Sequence, residues 1–83
     1  MRIVIYTTTE CPYCKMLKNY LSEKQISFEE KNTTDNPDVQ KEMAELSDGF
    51  LGVPFTVIYK DDQLHKITGF DKPKFDSILE IKN

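Results

Sequence analysis

Cysteine occurs twice in this 83-residue chain, and both copies lie in one tetrapeptide, Cys11-Pro12-Tyr13-Cys14. Two cysteines scattered at random over such a length would fall three apart only about once in forty arrangements, so the spacing is itself a signal. The residues around it say where it sits. Residues 2 to 6, Arg-Ile-Val-Ile-Tyr, form a short β-branched run of the kind shown by a strand covered on both faces. After Thr7-Thr8-Thr9-Glu10, the apolar residues Met16, Leu17, Tyr20 and Leu21 recur at helical spacing, with Lys15, Lys18, Glu23 and Lys24 largely outside the stripe. Proline disrupts a helix interior but suits its first turn, so Pro12 reads as the first helical residue and Cys11 as the residue before it.

The rest of the chain continues the alternation. Ile26 to Lys31 reads as a second, shorter strand, with Ile26 and Phe28 as its apolar residues. Asp35-Asn36-Pro37 is a cap followed by a first-turn proline, and Val39, Met43, Leu46 and Phe50 mark a second helix stopped near Gly49. Phe55 to Tyr59 is another β-rich run, Asp61-Asp62 a turn, and Gln63 to Thr68 the return strand, with Leu64 and Ile67 as its apolar residues. Gly69-Phe70-Asp71 breaks the strand, and Phe75, Ile78 and Leu79 mark a last helix with Asp71 as its cap. The order is βαβαββα. A βαβ half requires a parallel pair and a hairpin half an antiparallel one, so the expectation is an α/β fold: one mixed four-stranded sheet with helices on both faces.

Composition bounds the function. With 39% hydrophobic residues, the chain has enough for one modest core and reads as a single domain over residues 1–83. Eleven basic against 14 acidic residues give a net charge of −3, which argues against nucleic acid or an anionic membrane as partner. No stretch approaches the roughly 18 apolar residues of a membrane span, and the start is too short for a signal-peptide core, so a cytoplasmic location is expected. Charge is uneven: residues 25 to 52 hold two basic and seven acidic groups, either a solvated helix face or a surface that selects a basic partner.

Four readings of the cysteine pair compete. A structural disulfide over so short a loop removes little entropy from the unfolded chain. Zinc normally wants four ligands with thiolate or imidazole, and beyond the pair the chain offers only His65 of that kind, in the expected hairpin. An iron–sulfur cluster would need ligands shared across a dimer or supplied by a small thiol. Thiol–disulfide exchange fits best, because a Cys-x-x-Cys beside a βαβ pattern is the combination such a centre uses. A helix N-terminus presents unpaired N–H groups and the positive end of the helix dipole, both of which favour a thiolate at Cys11. Cys11 is therefore the expected nucleophile and Cys14, one turn in and less exposed, the expected resolving thiol. Lys15 and Lys18 are candidates for tuning the thiolate, and Glu10 would oppose them. Val53-Pro54 opens a β-run either as a plain strand start or as a cis peptide that leaves the Val53 backbone to pair with an extended substrate. His65 reads as a surface residue, and Tyr6, Phe28, Phe55 and Phe75 as core; Phe70 stands between a core role and a substrate contact.

Cys11-Pro12-Tyr13-Cys14 after a short strand, Gly52-Val53-Pro54-Phe55 before a hairpin and Gly69-Phe70-Asp71 before the last helix together resemble the glutaredoxins and glutaredoxin-like redoxins. The resemblance spans essentially the whole chain. It implies a thioredoxin fold with sheet order 2-1-3-4, a cis Val53–Pro54 bond, Cys11 and Cys14 as catalytic residues, and Tyr13 at the rim of the site. Substrate or glutathione binding would fall to Tyr13, Val53, Pro54, Gly69, Phe70 and Asp71. Glutathione-using members carry a cation three residues before the first cysteine, where this chain has Thr8, and Phe50-Leu51-Gly52 and Lys72 also depart from their pattern. Gly-Phe-Asp followed by Lys and Pro is closer to redoxins that take electrons from thioredoxin reductase and to small glutaredoxin-like proteins of anaerobic bacteria. The expectation is a monomeric disulfide oxidoreductase with no tightly bound cofactor and no metal, acting on disulfide-containing proteins, with thioredoxin reductase or glutathione as electron donor. The competing expectation is a non-catalytic metal or iron–sulfur carrier using the same cysteines.

Overall fold

The computed structural model describes residues 1–49 and 52–81. Seven elements follow one another: β1 (Arg2–Thr7), α1 (Pro12–Glu23), β2 (Glu29–Asn32), α2 (Pro37–Leu46), β3 (Phe55–Lys60), β4 (Gln63–Thr68) and α3 (Lys72–Leu79). The strands form one sheet in the order β2-β1-β3-β4, with β1 parallel to β2 and the other two pairings antiparallel. This is the mixed sheet of the thioredoxin fold that the sequence led us to expect.

Side chains alternate across the sheet, so β1 feeds two cores. Ile3 and Ile5 join Ile58 and Ile67 from β3 and β4 under Leu17 and Leu21 of α1 and Phe75 of α3. Val4 and Tyr6 join Phe55 and Val57 on the opposite face, under Met43 of α2.

All three helices start by one device, a side chain accepting an N–H of the first turn, with a proline at the first or second position. Cys11, Asn36 and Asp71 are the capping residues. The second of these fits the expected cap and first-turn proline: Asn36 caps α2, while Asp35 takes a left-handed conformation (φ 55°) in the turn before it. The helix ends earlier than its apolar spacing suggested, at Leu46 with Ser47 as cap, and left-handed Asp48 and Gly49 turn the chain away. Phe50, read from sequence as part of that helix, lies outside the described residues, as does Leu51.

Two further expectations are revised. The second strand is Glu29–Asn32 rather than Ile26 to Lys31, because Ile26 and Phe28 pack against the α1–α3 core from the connecting segment and leave the pairing to polar residues on a sheet edge. In β4 only Ile67 is buried. Leu64, on the opposite face and paired with Tyr59 at the open end of the sheet, is 44% exposed. The turn between β3 and β4 is as expected, with Asp61 and Asp62 both at positive φ, which Asp tolerates better than most residues.

Candidate active site

Strand directions bring three separate segments to one end of the sheet. β1 ends there at Thr7, antiparallel β3 starts there at Phe55, and β4 ends there at Thr68, with Tyr6 opposite Phe55 and Phe55 opposite Thr68 in register. The segment from Thr8 to Cys11, the Val53–Pro54 peptide and the Gly69 turn therefore share one end of the sheet. The Val53–Pro54 bond is cis, and the Pro54 carbonyl accepts the Gly69 N–H at 2.8 Å, which ties the two loops together.

Cys11 sits in extended backbone (φ −146°, ψ 97°) at the N-cap of α1, where its Sγ accepts the Cys14 N–H at 3.1 Å. The sulfur thus occupies the place of a capping oxygen, and both the first-turn N–H groups and the helix dipole favour negative charge on it. A disulfide joins Cys11 to Cys14 across a Cα–Cα distance of 5.2 Å. Exposure separates the two: Cys11 is 7% exposed and Cys14 only 1%, since Cys14 is the first of the inward-facing residues Cys14, Leu17 and Leu21.

Between the segment that precedes Cys11 and the turn after β2 lies an open cleft of about 500 Å³, lined by Thr8, Thr9, Glu10, Thr34 and Asp35 and by neither cysteine. Its walls are held together across the sheet end: the Thr9 N–H donates to Thr34 Oγ1 at 2.9 Å and Asn32 Nδ2 donates to Thr9 Oγ1 at 3.3 Å. The lining offers hydroxyls and two carboxyl groups, and no cation.

The sequence from residue 3 to residue 64 matches the glutaredoxin family. The chain belongs to the glutaredoxin family. Among similar proteins, a Clostridium pasteurianum protein described as an uncharacterized glutaredoxin-like 8.6 kDa protein in the rubredoxin operon is 41% identical over 78 residues, covering 94% of this chain and 97% of the relative. The glutaredoxin-like protein NrdH of Lactococcus lactis is 38% identical over 60 residues, covering 72% and 78%. The solved structure of the NrdH-redoxin from Escherichia coli, whose description speaks of a thioredoxin-like activity profile, superposes with a TM-score of 0.72 at 28% identity over the full length of both chains. The present protein is thus a glutaredoxin- and NrdH-like redox protein with its cysteine pair at Cys11 and Cys14.

The remaining candidate residues of this glutaredoxin-family protein fall in different places. Tyr13, 63% exposed, stands out from the first turn of α1, and Met16 is exposed one turn on. Gly69 adopts a left-handed conformation (φ 75°), and Asp71 uses its carboxylate to cap α3 through the Lys74 N–H at 3.3 Å. Phe70 points inward. Its ring lies 5.6 Å from that of Tyr20 and 6.4 Å from that of Phe75, so it joins the edge of the α1–α3 core. Of the two lysines proposed to tune the thiolate, Lys15 is exposed, whereas Lys18 reaches Glu30 at 2.8 Å. That bond, backed by the Thr7 hydroxyl at 2.8 Å, holds the Glu30 carboxyl below its ordinary range. Lys18 therefore serves the sheet edge.

Two features had no signal in the sequence. Tyr6, read as a core aromatic, also donates its phenol proton to Glu42 of α2, and the same carboxylate oxygen accepts Lys31 Nζ at 2.7 Å. The bond from Lys31, followed by that from Tyr6, draws the Glu42 carboxyl below its ordinary range, and burial followed by the bond to Glu42 raises the Tyr6 phenol well above its own. The second feature is a buried threonine in β3, Thr56. Neither residue belongs to a motif, and only the register reveals what each faces.

Proposed function

We propose that this protein is a two-thiol disulfide reductase of the cytoplasm, and that Cys11 and Cys14 carry the reaction. The observation that supports it is the position of Cys11, with its sulfur in the capping place of α1 and its disulfide partner one turn further in. In the reduced protein the Cys11 thiolate attacks one sulfur of a substrate disulfide; a Cys11–substrate bond forms, the substrate S–S bond breaks, and one substrate thiolate leaves and takes up a proton. The Cys14 thiolate then attacks Cys11 Sγ. The Cys11–Cys14 bond forms, the mixed disulfide breaks, and the second substrate thiol departs, so the substrate gains two electrons and the protein loses two. The backbone of Val53, before Pro54, pairs with the extended segment that carries the substrate disulfide, and Tyr13 and Gly69 flank it. No resident cofactor or metal enters this cycle, and the protein acts as a monomer.

The electron donor follows from the cleft. Glutathione carries two carboxylates, which cations or helix N-termini bind best. The cleft next to the segment that precedes Cys11 offers Glu10 and Asp35 instead, with threonine hydroxyls between. Thioredoxin reductase is accordingly the proposed donor, a reading supported by the likeness to the Escherichia coli NrdH-redoxin with its thioredoxin-like activity profile. The test supplies the oxidised protein with NADPH and either thioredoxin reductase or glutathione with its reductase. A rate with thioredoxin reductase at least equal to that with glutathione is expected, and turnover with glutathione alone would overturn the donor assignment. Cys14→Ser should abolish turnover on an ordinary protein disulfide; full turnover in that variant would sink the two-thiol mechanism, and bound stoichiometric metal without reductase activity would sink the enzyme reading itself.

A further inference from the structure

Among the described residues, one buried side-chain polar atom has no hydrogen-bond partner: Oγ1 of Thr56. Proteins pair nearly all such atoms, so an exception calls for a reason. Valine would fill the same space without an unpaired hydroxyl. Thr7 and Thr33, the other buried threonines at this end of the sheet, show the ordinary solution, since their hydroxyls donate to Glu30 and to the Thr7 carbonyl.

The location of Thr56 supplies the reason. By strand alternation it shares the face of Ile58, under α1 and α3, and its register partners are Ile5 on β1 and Ile67 on β4, both members of the core that includes Leu17 and Phe75. It lies two residues beyond Pro54, at the end of the sheet where α1 begins. Helix α1 starts above that end and runs back over the sheet, so its inward residues descend in the order Cys14, Leu17, Leu21. That order places Cys14, the first of them, toward the end of the sheet that holds Ile5, Thr56 and Ile67. Around that row the same face carries Thr7 of β1, whose hydroxyl already donates to Glu30, and half-buried His65 of β4, diagonal to Thr56; the remaining buried residues of this core are hydrocarbon, and α1 adds the Cys14 sulfur. The nearest ionisable side chain in register is Glu30, beside Ile5 on β2, and it is bonded to Lys18 and Thr7.

We propose that Thr56 is a positioning residue for the resolving thiol. When the disulfide opens, the Thr56 hydroxyl donates a hydrogen bond to Cys14 Sγ, directly or across one water molecule, and thereby favours the thiolate that attacks the mixed disulfide. The hydroxyl keeps its proton throughout; the electrons move between sulfurs as described above. In the oxidised protein both Cys14 lone-pair charge and the bond are lost, which is why the hydroxyl stands unpaired in the disulfide form. The inference rests on the reading of Cys14 as the resolving thiol, and it deepens that reading.

The test compares Thr56→Val, which keeps the shape and removes the hydroxyl, with Thr56→Ser, which keeps the hydroxyl and removes the methyl. The Cys14 pKa in each reduced protein is followed by the carbon-13 chemical shift of its Cβ, a measurement that needs no substrate. Thr56→Val should raise that pKa by about one unit, a tenfold loss of thiolate at a given lower pH, without a matching change at Cys11. At a pH where Cys14 is ionised, the dithiol–disulfide equilibrium should shift about tenfold toward disulfide, roughly 30 mV for a two-electron couple. Thr56→Ser should stay at the parental pKa. An unchanged pKa in Thr56→Val would overturn the proposal, and so would equal shifts in both variants, because packing rather than the hydroxyl would then be at work. If the parent protein proves inactive on disulfides while Thr56→Val still moves the Cys14 pKa, the functional reading fails and the Thr56 contact stands.

Discussion

The two faces of the sheet hold their helices by different means. On one face α1 contributes Cys14, Leu17 and Leu21 as fully buried residues and α3 adds Phe75; a half-buried hydrogen bond from Tyr20 to Asp76 joins the two helices, and Lys18–Glu30 lies at the sheet edge. On the other face α2 buries Met43 completely, with Val39 and Leu46 only partly covered, and a polar bridge enters the packing itself from Tyr6 through Glu42 to Lys31. An open cleft of about 360 Å³ beside that bridge, bounded by Arg2, Glu45 and Tyr59, shows that α2 leaves part of its face uncovered. The redox pair is built on the first face. Apolar packing is indifferent to pH and to the charge of a partner, so it holds the N-terminus of α1 in place whether the sulfurs are joined or ionised. The second face has its own apolar cluster, but α2 buries a single residue completely and so leans more on the ionised bridge.

The largest expected effect tests the hydrocarbon face. Phe75→Ala removes a fully buried ring, and a loss of about 3–5 kcal/mol in chemical denaturation is expected; a loss well below that would mean that α3 contributes little to the core beneath the cysteines. Within β4, Ile67→Ala should cost about 2–5 kcal/mol. Leu64→Ala in the same strand should stay within about 0.5 kcal/mol, as exposed positions do. Equal losses at the two positions would contradict the assignment of faces in β4.

On the polar face, Tyr6→Phe keeps the ring and removes the bond to Glu42, with an expected loss of about 1.5 kcal/mol, the lower end for a hydrogen bond to a charged group. The pH dependence follows from the same contact. The folded Glu42 carboxyl titrates below its ordinary 4.5, so its contribution is present above that pH and fades as pH falls through the folded value. The Tyr6 phenol titrates above its ordinary 10, so its contribution is present below pH 10 and is lost as pH rises toward the folded value. Hydrogen exchange should therefore report faster opening of α2 at both extremes, with α1 less affected, and Tyr6→Phe should flatten the alkaline limb. Identical pH profiles for the two helices would erase the contrast. The smallest effect belongs to the exposed Arg2–Glu29 pair, 3.0 Å apart at the sheet edge: Arg2→Ala should leave the Tm essentially unchanged in 0.15 M salt, where such pairs are screened.

The site was legible where chemistry and local conformation coincide in neighbouring residues. Cys11 before Pro12 identifies a helix start and a thiolate position at once, because proline tolerates only the first turn and the cap sulfur needs no distant partner. Asp61-Asp62 marks the hairpin for the same local reason. Legibility failed where a residue's role depends on what lies across the sheet. Ile26 and Phe28 look like strand residues and pack as connector residues, and Leu64 has the hydropathy of a core position but faces open solvent at the sheet end. Phe70 and Lys18, adjacent to the site in sequence terms, turn to Tyr20 with Phe75 and to Glu30 respectively.

By itself the sequence determined the order of elements, the caps, the hairpin and the inequality of the two cysteines, since each rests on interactions among residues a few positions apart. The tertiary structure alone decided that Lys18 serves Glu30, that Glu42 joins Tyr6 to Lys31, and that Thr56 lies unpaired between Ile5 and Ile67. Those outcomes depend on strand order and register, which bring residues tens of positions apart to within one hydrogen bond and which no local pattern encodes.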